Sequence, residues 1–192
     1  FPFYAERLGA SPEIITLTMS VFSLGQFFAA PFWGRISDSI GRKKVLIISL
    51  FGSGLSYIML AYAETLTLVI LSRVFAGLMA GNISIAFAYV SDITDPENRS
   101  AGLGKVSAAL GLGFMTGPAI GGFFAGSEVE SANYFLTALV GAGINFFAMI
   151  ATMMFLKESL KPEKRKSFEG VFNIIEADTF RPKKAILVLV SC

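Results

Sequence analysis

The sequence predicts an all-α integral membrane protein, and three observations lead to this fold class. Five long apolar stretches carry at most one charged residue each, and about 20 such residues suffice to cross the hydrocarbon core of a bilayer as a helix. The basic residues gather between alternate stretches. Finally, 54% of the residues are hydrophobic and 16% are charged, against roughly 25% charged in soluble domains.

The first 156 residues are predicted to form a bundle of transmembrane helices. The five complete spans are placed over residues 14–34, 45–63, 65–91, 106–127 and 131–156. Residues 157–184 are predicted to be a linker, either with a short interfacial helix or as a flexible charged segment. The chain is expected to be a fragment, in which residues 1–4 end an earlier helix and residues 185–192 begin a later one.

The distribution of Lys and Arg predicts the orientation of this bundle. Fourteen of these residues lie in the segments 34–44, 92–105 and 157–184, whereas only Arg7 lies on the opposite side. Loops rich in Lys and Arg face the cytoplasm in membrane proteins. The three basic segments are therefore predicted to be cytoplasmic.

The first segment, GRISDSIGRKK, has a pattern that a generic basic turn rarely shows. Gly34 is expected to allow a close approach where the helix ends, and Gly41 to permit a turn that a Cβ atom would obstruct. Asp38 lies among basic residues and is expected to pair with them or with a helix N-terminus. The pattern resembles the loop between helices 2 and 3 of the major facilitator superfamily.

That resemblance implies the N-terminal six-helix half of a twelve-helix fold, with helices 2 to 6 complete in this chain. It also implies that the loop is a conformational latch between the two halves, to which Gly34, Asp38, Gly41, Arg42 and Lys43 belong. The alternative is a basic juxtamembrane turn without that role.

The fourth span contains the motif GFMTGPAIGG. Glycines at 113, 117 and 121 recur every four residues and form one face that a neighbouring helix can approach closely. Pro118 removes a backbone donor and favours a kink. With Gly122, the motif resembles that of helix 5 in antiporters, and it implies drug/proton exporters of the tetracycline-exporter-like branch. Plain helix packing is the alternative.

Arg73 is the only charged residue inside the five spans. An ionisable residue within a membrane is costly and indicates a functional site. Arg73 and Gly77 resemble the helix 4 motif of the same family, which implies a role in proton coupling. The alternative is an arginine that extends to the outer headgroups.

Two charged residues flank the turn between the third and fourth spans. Asp92 and Arg99 are predicted to form an ion pair that braces the inner gate. The turn adds to the resemblance to the tetracycline-exporter-like branch.

A few further side chains are candidates to line a substrate cavity. Gln26 and Met19 share a helical face, and Met115 lies in the glycine motif. Asn82 is a candidate as well, but on an ideal helix it points away from Arg73, so both can face one cavity only if that helix is irregular. Helix packing is the alternative for each of them and is preferred over the cavity role, for Asn145 as for the others.

The residue types that the sequence lacks exclude some classes of function. The chain has no His and one Cys, so no metal site, cofactor or catalytic cluster is predicted, and the protein is not expected to be an enzyme. No Asp or Glu lies within the five spans, so a titrating carboxylate is expected elsewhere.

The predicted function is secondary transport, by proton-coupled export of small amphiphilic compounds. The alternatives are a uniporter or importer of sugars or metabolites, and a membrane sensor that does not transport. The expected partners are the bilayer, a small substrate, protons and the missing C-terminal half, with no nucleic acid and with a monomer at full length. A bacterial inner membrane is the predicted location.

Overall fold

The computed structural model describes residues 2–125 and 133–160, and these residues form helices and short connections. Seven helices occur in this part of the chain: α1 Pro2–Arg7, α2 Pro12–Ile40, α3 Arg42–Ala61, α4 Leu66–Met79, α5 Asn82–Ile93, α6 Arg99–Ala125 and α7 Tyr134–Phe155. Five stretches are long and apolar enough to cross a membrane, with α4 and α5 forming one of them together. The prediction of an all-α membrane fold is confirmed.

Local sequence explains where several helices begin. Pro12 occupies the first turn of α2, where a missing backbone donor costs nothing. Thr65 accepts a hydrogen bond from the backbone N–H of Leu68, at 3.3 Å, and caps α4. Asn133 accepts one from the backbone N–H of Leu136, at 2.9 Å, and caps α7. Such caps satisfy backbone donors that have no partner within the helix.

Two buried apolar clusters lie at opposite ends of α3. The first joins α2, α3 and α5 and consists of Ala29, Trp33, Val45, Leu46 and Ile85. The second joins α3 to α4, α7 and their connections and consists of Leu60, Ala61, Ala63, Val69 and Ala138. We call the end of the bundle near the first cluster, where α2 meets α3, the basic end.

Helix α3 packs along α7 between these clusters. Lys43 donates a hydrogen bond to the backbone oxygen of Met153 at 2.8 Å, the rings of Phe51 and Phe146 lie 6.0 Å apart, and Tyr57 lies against Gly141. Large apolar side chains elsewhere are exposed, including Phe114, Phe123, Phe147 and Phe155. Such an apolar surface is suited to contact with lipid or with further membrane helices.

The predicted loop over residues 34–44 was wrong in its extent. Helix α2 continues to Ile40 and α3 begins at Arg42, so Gly41 alone separates them. Gly34 lies inside α2, and none of the described residues lies within 4 Å of where its Cβ would be. Hydropathy marks where a chain leaves the hydrocarbon, whereas helical hydrogen bonds continue through polar residues beyond that boundary.

Two other boundaries differ from the sequence prediction. The third span is interrupted at Ala80 and Gly81, between α4 and α5. Helix α6 begins at Arg99, so the connection after α5 is shorter than the predicted 92–105 loop. The predicted interfacial helix and the predicted start of a further helix at 185–192 lie outside the described residues.

Candidate functional site

The interruption between α4 and α5 is held in place by two side chains from neighbouring helices. The indole Nε1 of Trp33 donates a hydrogen bond to the backbone oxygen of Leu78 at 2.6 Å. The hydroxyl of Ser49 donates one to the backbone oxygen of Met79. Backbone oxygens released at a break in a membrane helix need such partners. A Cβ atom on Gly81 would lie 2.5 Å from the side chain of Trp33, so a larger residue at this position would have to displace the indole.

A polar cavity of about 210 Å³ opens beside this interruption. Helices α2, α3, α4, α5 and α7 all contribute to it. Its polar lining consists of Gln26, Ser53, Ser56, Tyr57, Arg73, Asn82 and Asn145, and its apolar lining of Phe22, Ala76, Ala80 and Ile83.

Among the described residues, Arg73 supplies the only charged side chain to the lining of this cavity. Its guanidinium carbon lies 5.8 Å from the centre of the Tyr57 ring, within the range of a cation–π contact. Asn145 donates a hydrogen bond to the backbone oxygen of Gly141 at 2.9 Å, which directs its side chain along α7. The cavity therefore combines one cation with neutral amides and hydroxyls inside an apolar bundle.

The interruption explains why two residues predicted to diverge come together. Sequence spacing places Arg73 and Asn82 on opposite faces of an ideal helix, yet both line the cavity. The helix is irregular between them, which was the stated condition for a shared cavity. Gln26 lines the same cavity, and so does Asn145, for which helix packing had been preferred.

Two of the candidate cavity residues do not reach this cavity. Met19 is 47% exposed and Met115 is 68% exposed, and neither lines it. Met19 shares a helical face with Gln26, but it lies two turns nearer to the start of α2. Met115 lies on α6, which contributes nothing to the lining of this cavity.

Gly77 lies at the closest approach of two helices. A Cβ atom on Gly77 would lie 2.5 Å from the backbone oxygen of Phe22, and one on Gly25 would lie 3.2 Å from the backbone of Gly77. The backbones of α2 and α4 are therefore in direct contact one turn from Arg73. Small residues permit such crossings in membrane proteins.

At the basic end, Arg42 joins three segments of the chain. Its guanidinium contacts Asp38 at 2.6 Å and Asp92 at 3.1 Å, and it also donates a hydrogen bond to Ser37. The Arg42 side chain is 10% exposed, so its charge is largely shielded from solvent and needs these partners. The expected pairing of Asp38 with a basic residue is therefore present.

The predicted ion pair between Asp92 and Arg99 was wrong. Asp92 pairs with Arg42 of α3, and Arg99 is exposed at the start of α6. Asp92 lies in the last turn of α5, which ends at Ile93. Its carboxylate therefore faces Arg42 of α3 and not the start of α6. No pattern in the sequence indicated that Arg42, 50 residues earlier, would be its partner.

The glycine motif lies in the middle of α6. Apart from adjacent residues and the local backbone of α6, no described residue lies within 4 Å of a Cβ built on Gly113, Gly117, Gly121 or Gly122. Gly117 and Gly121 border a groove of about 260 Å³ between α6 and α7, and Pro118 lies inside the helix. Within the described part of the chain, the glycine face is available for a further helix.

Sequence reasoning missed three residues that shape these sites. Trp33, the only Trp in the chain, could have been noticed because a buried indole needs an acceptor. Tyr57 and Glu158 gave no such signal, since Tyr57 lies in an ordinary apolar span and Glu158, whose Oε1 accepts a hydrogen bond from the backbone N–H of Arg42, lies among basic residues. Of the described residues, no group of His, Cys, Asp or Glu could hold a metal ion.

Membrane-spanning helices around a polar cavity with an interrupted helix are typical of the membrane-transporter class of proteins. The sequence matches the model of the Major Facilitator Superfamily over residues 1–192. The chain belongs to this superfamily, whose members are transporters and not enzymes, and the predicted family is confirmed.

Several relatives support this assignment. The class C tetracycline resistance protein of Escherichia coli is 33% identical, over 83% of this chain and 39% of that protein. Multidrug resistance protein 2 of Bacillus subtilis is 33% identical, over 85% and 40%. The crystal structure of the human organic anion transporter MFSD10 matches with a TM-score of 0.67 and 31% identity, over 88% of this chain and 40% of that one. The chain thus spans about two fifths of the length of these relatives.

Proposed function

We propose that the chain is part of a secondary transporter that exports small amphiphilic compounds in exchange for protons. The observation that carries the proposal is the polar cavity, in which Arg73 lies among amides and hydroxyls within membrane-spanning helices. An ionisable residue within the membrane beside an interrupted helix is typical of substrate and ion sites in such transporters. Transport follows if two halves rock around this cavity and expose it to each side in turn.

The relatives support the class of substrate. Two are named for resistance to tetracycline or to several drugs, and one is described as an organic anion transporter. Drugs and organic anions are small organic compounds, and we propose the amphiphilic ones among them as substrates of this protein. The cavity fits such compounds because amides and a cation lie beside Phe22 and Ile83.

The basic end is proposed to face the cytoplasm, since it carries Arg42, Lys43 and Lys44. We further propose that the Asp38–Arg42–Asp92 cluster holds the inner gate and that the glycine face of α6 meets the other half of a monomeric transporter. Two bacterial relatives support a bacterial inner membrane as the location, although the family also occurs in mammals.

The test is the accumulation of dyes and drugs by cells that express the full-length protein in an efflux-deficient host. The panel includes ethidium, tetracycline and an anionic dye, each with and without a protonophore. We expect lower accumulation of at least one compound and loss of this effect with the protonophore. Unchanged accumulation with the protein present in the membrane would contradict export and favour import, facilitated diffusion or sensing.

Arg73 provides the first variant for the same assay. Arg73→Gln removes the one charge that the described residues contribute to the cavity lining, and we expect export to fall about tenfold or more. The matched control is Arg99→Gln, because Arg99 is an exposed cation, and it should retain export. Equal export by the two variants would contradict the assignment of the cavity.

A further inference from the structure

The segment that follows α7 contacts the junction of α2 and α3 at the basic end. Glu158 Oε1 accepts a hydrogen bond from the backbone N–H of Arg42 at 2.8 Å and another from the backbone N–H of Leu160 at 3.2 Å. Arg42 is the first residue of α3, so its N–H has no acceptor within the helix. A carboxylate at this position also interacts favourably with the helix dipole.

Gly41 leaves the space in which this carboxylate lies. A Cβ atom on Gly41 would be 2.3 Å from Oε2 and 2.7 Å from Cδ of Glu158. Gly41 also has a φ of +109°, which disfavours a side chain independently. The single residue between α2 and α3 is therefore constrained both by its backbone and by Glu158.

The next residue contacts the acid that pairs with Arg42. Ser159 Oγ donates a hydrogen bond to Asp92 Oδ2 at 3.3 Å, and the same oxygen receives Arg42 Nε at 3.1 Å. Leu156 packs against the first apolar cluster, and Leu160 is buried. The segment from 156 to 160 is thus anchored to α3 and α5 by polar contacts and by packing.

We propose that Glu158 is a positioning residue for the gate at the basic end, which deepens the transport function proposed above. It fixes the backbone of Arg42, while the side chain of Arg42 contacts Asp38 on α2 and Asp92 on α5. Loss of this anchor frees the α2–α3 junction to change its angle and moves Arg42 relative to both acids. Glu158 therefore acts on the gate through Arg42 and does not contact the substrate cavity.

The test compares Glu158→Ala and Glu158→Gln in the full-length protein. The amide oxygen of Gln can accept the same two hydrogen bonds, whereas Ala accepts none. We expect Glu158→Ala to lower the Vmax of export about tenfold with KM changed by less than about twofold, and Glu158→Gln to restore most of the rate. The matched control is Glu97→Ala, because Glu97 is an exposed acid in the turn between α5 and α6, and it should leave both constants unchanged.

Three results would overturn the proposal. These are a wild-type Vmax for Glu158→Ala, an equal loss for Glu158→Ala and Glu158→Gln, or a raised KM at unchanged Vmax. If Glu158→Ala does not reach the membrane, Glu158→Asp replaces it. Its carboxylate is one methylene shorter, so an intermediate Vmax is expected and a wild-type Vmax contradicts the proposal.

A second readout separates this proposal from the proposed function. Ala76 lines the cavity, so Ala76→Cys in a background without other cysteines reports its accessibility to a membrane-impermeant thiol reagent. In inverted vesicles, Glu158→Ala should change the labelling rate about fivefold relative to Glu97→Ala, even if no compound of the panel is exported. Equal labelling rates would overturn the positioning role and leave the export proposal standing.

Discussion

Two glycine-rich regions of this bundle have opposite surroundings. Gly25 and Gly77 lie where the backbones of α2 and α4 touch, and a Cβ atom on either would contact the other helix within 3.2 Å. Gly113, Gly117 and Gly121 lie along one face of α6, and apart from adjacent residues and the local backbone of α6, no described residue comes within 4 Å of a Cβ built there. Glycine allows close packing of two helices in the first region, whereas in the second it lies on a helix face that is not packed against the described residues.

The glycines at the crossing of α2 and α4 stabilise the fold, whereas the glycines on α6 form a surface on which a further helix can pack. The crossing of α2 and α4 lies one turn from Arg73 and fixes the cavity, so a change there should affect folding first. The face on α6 can change without disturbing the described residues, so an effect there should appear in transport first. Three substitutions test this distinction, and they follow in order of their expected effect on stability.

The largest effect is expected for Gly77→Val. Its Cβ atom would lie 2.5 Å from the backbone oxygen of Phe22, and relief of this clash requires the helices to separate. We expect a loss of more than about 3 kcal/mol, above the usual range for overpacking, because backbone atoms cannot move aside as side chains do. The measurement is the yield of monodisperse full-length protein in detergent and its thermal transition.

The control for this substitution is Gly143→Val. Gly143 also lies inside a membrane helix, and none of the described residues lies within 4 Å of its Cβ position. It shares the cost of a β-branched residue in a helix but not the clash. Similar yields for the two variants would show that the contact between α2 and α4 is not close in the folded protein.

A smaller effect is expected for Trp33→Phe, which tests the interruption beside the crossing. Phe keeps an aromatic ring, but this ring is smaller than the indole and lacks its N–H, so the hydrogen bond from Nε1 to the backbone oxygen of Leu78 is lost. We expect a loss of about 1–3 kcal/mol, because a buried oxygen remains without this donor. The thermal transition of the purified protein measures it.

Phe32→Leu is the control for Trp33→Phe. Phe32 is the neighbouring aromatic residue and is 53% exposed, so its replacement should change stability by less than about 0.5 kcal/mol. Equal transitions for the two variants would mean that the Leu78 oxygen needs no donor from Trp33.

The sequence was sufficient to predict the membrane class and the family, and it indicated Arg73 as a candidate functional residue. These predictions rest on hydropathy, on charge distribution and on short motifs, which are local properties of the chain. The boundary at Gly34 was wrong because hydropathy reports the end of the hydrocarbon and not the end of the helix.

The remaining features depend on contacts between distant residues. The pairing of Asp92 with Arg42 and the cap that Glu158 provides join positions 50 and 116 residues apart. The shared cavity of Arg73 and Asn82 depends on a helix interruption that Trp33 and Ser49 stabilise from other helices. The spacing of Arg73 and Asn82 indicates that they can share a cavity only if the helix between them is irregular. It does not indicate whether the helix is irregular.

The smallest effect on stability is expected for Gly117→Ala on α6. Its Cβ atom meets none of the described residues within 4 Å, and Ala is favoured over Gly inside a helix by about 0.5–1 kcal/mol. The variant should therefore be as stable as the wild type or slightly more stable, whereas Gly25→Ala should be less stable because its Cβ atom would lie 3.2 Å from Gly77.

If the α6 face meets the other half during transport, Gly117→Ala should still lower protonophore-sensitive export in the full-length protein. Thermal transitions and export rates of the two variants measure both effects. A Gly117→Ala variant as unstable as Gly25→Ala would show that the two regions are packed alike, and one with full stability and full export would remove the glycine face of α6 from the transport cycle.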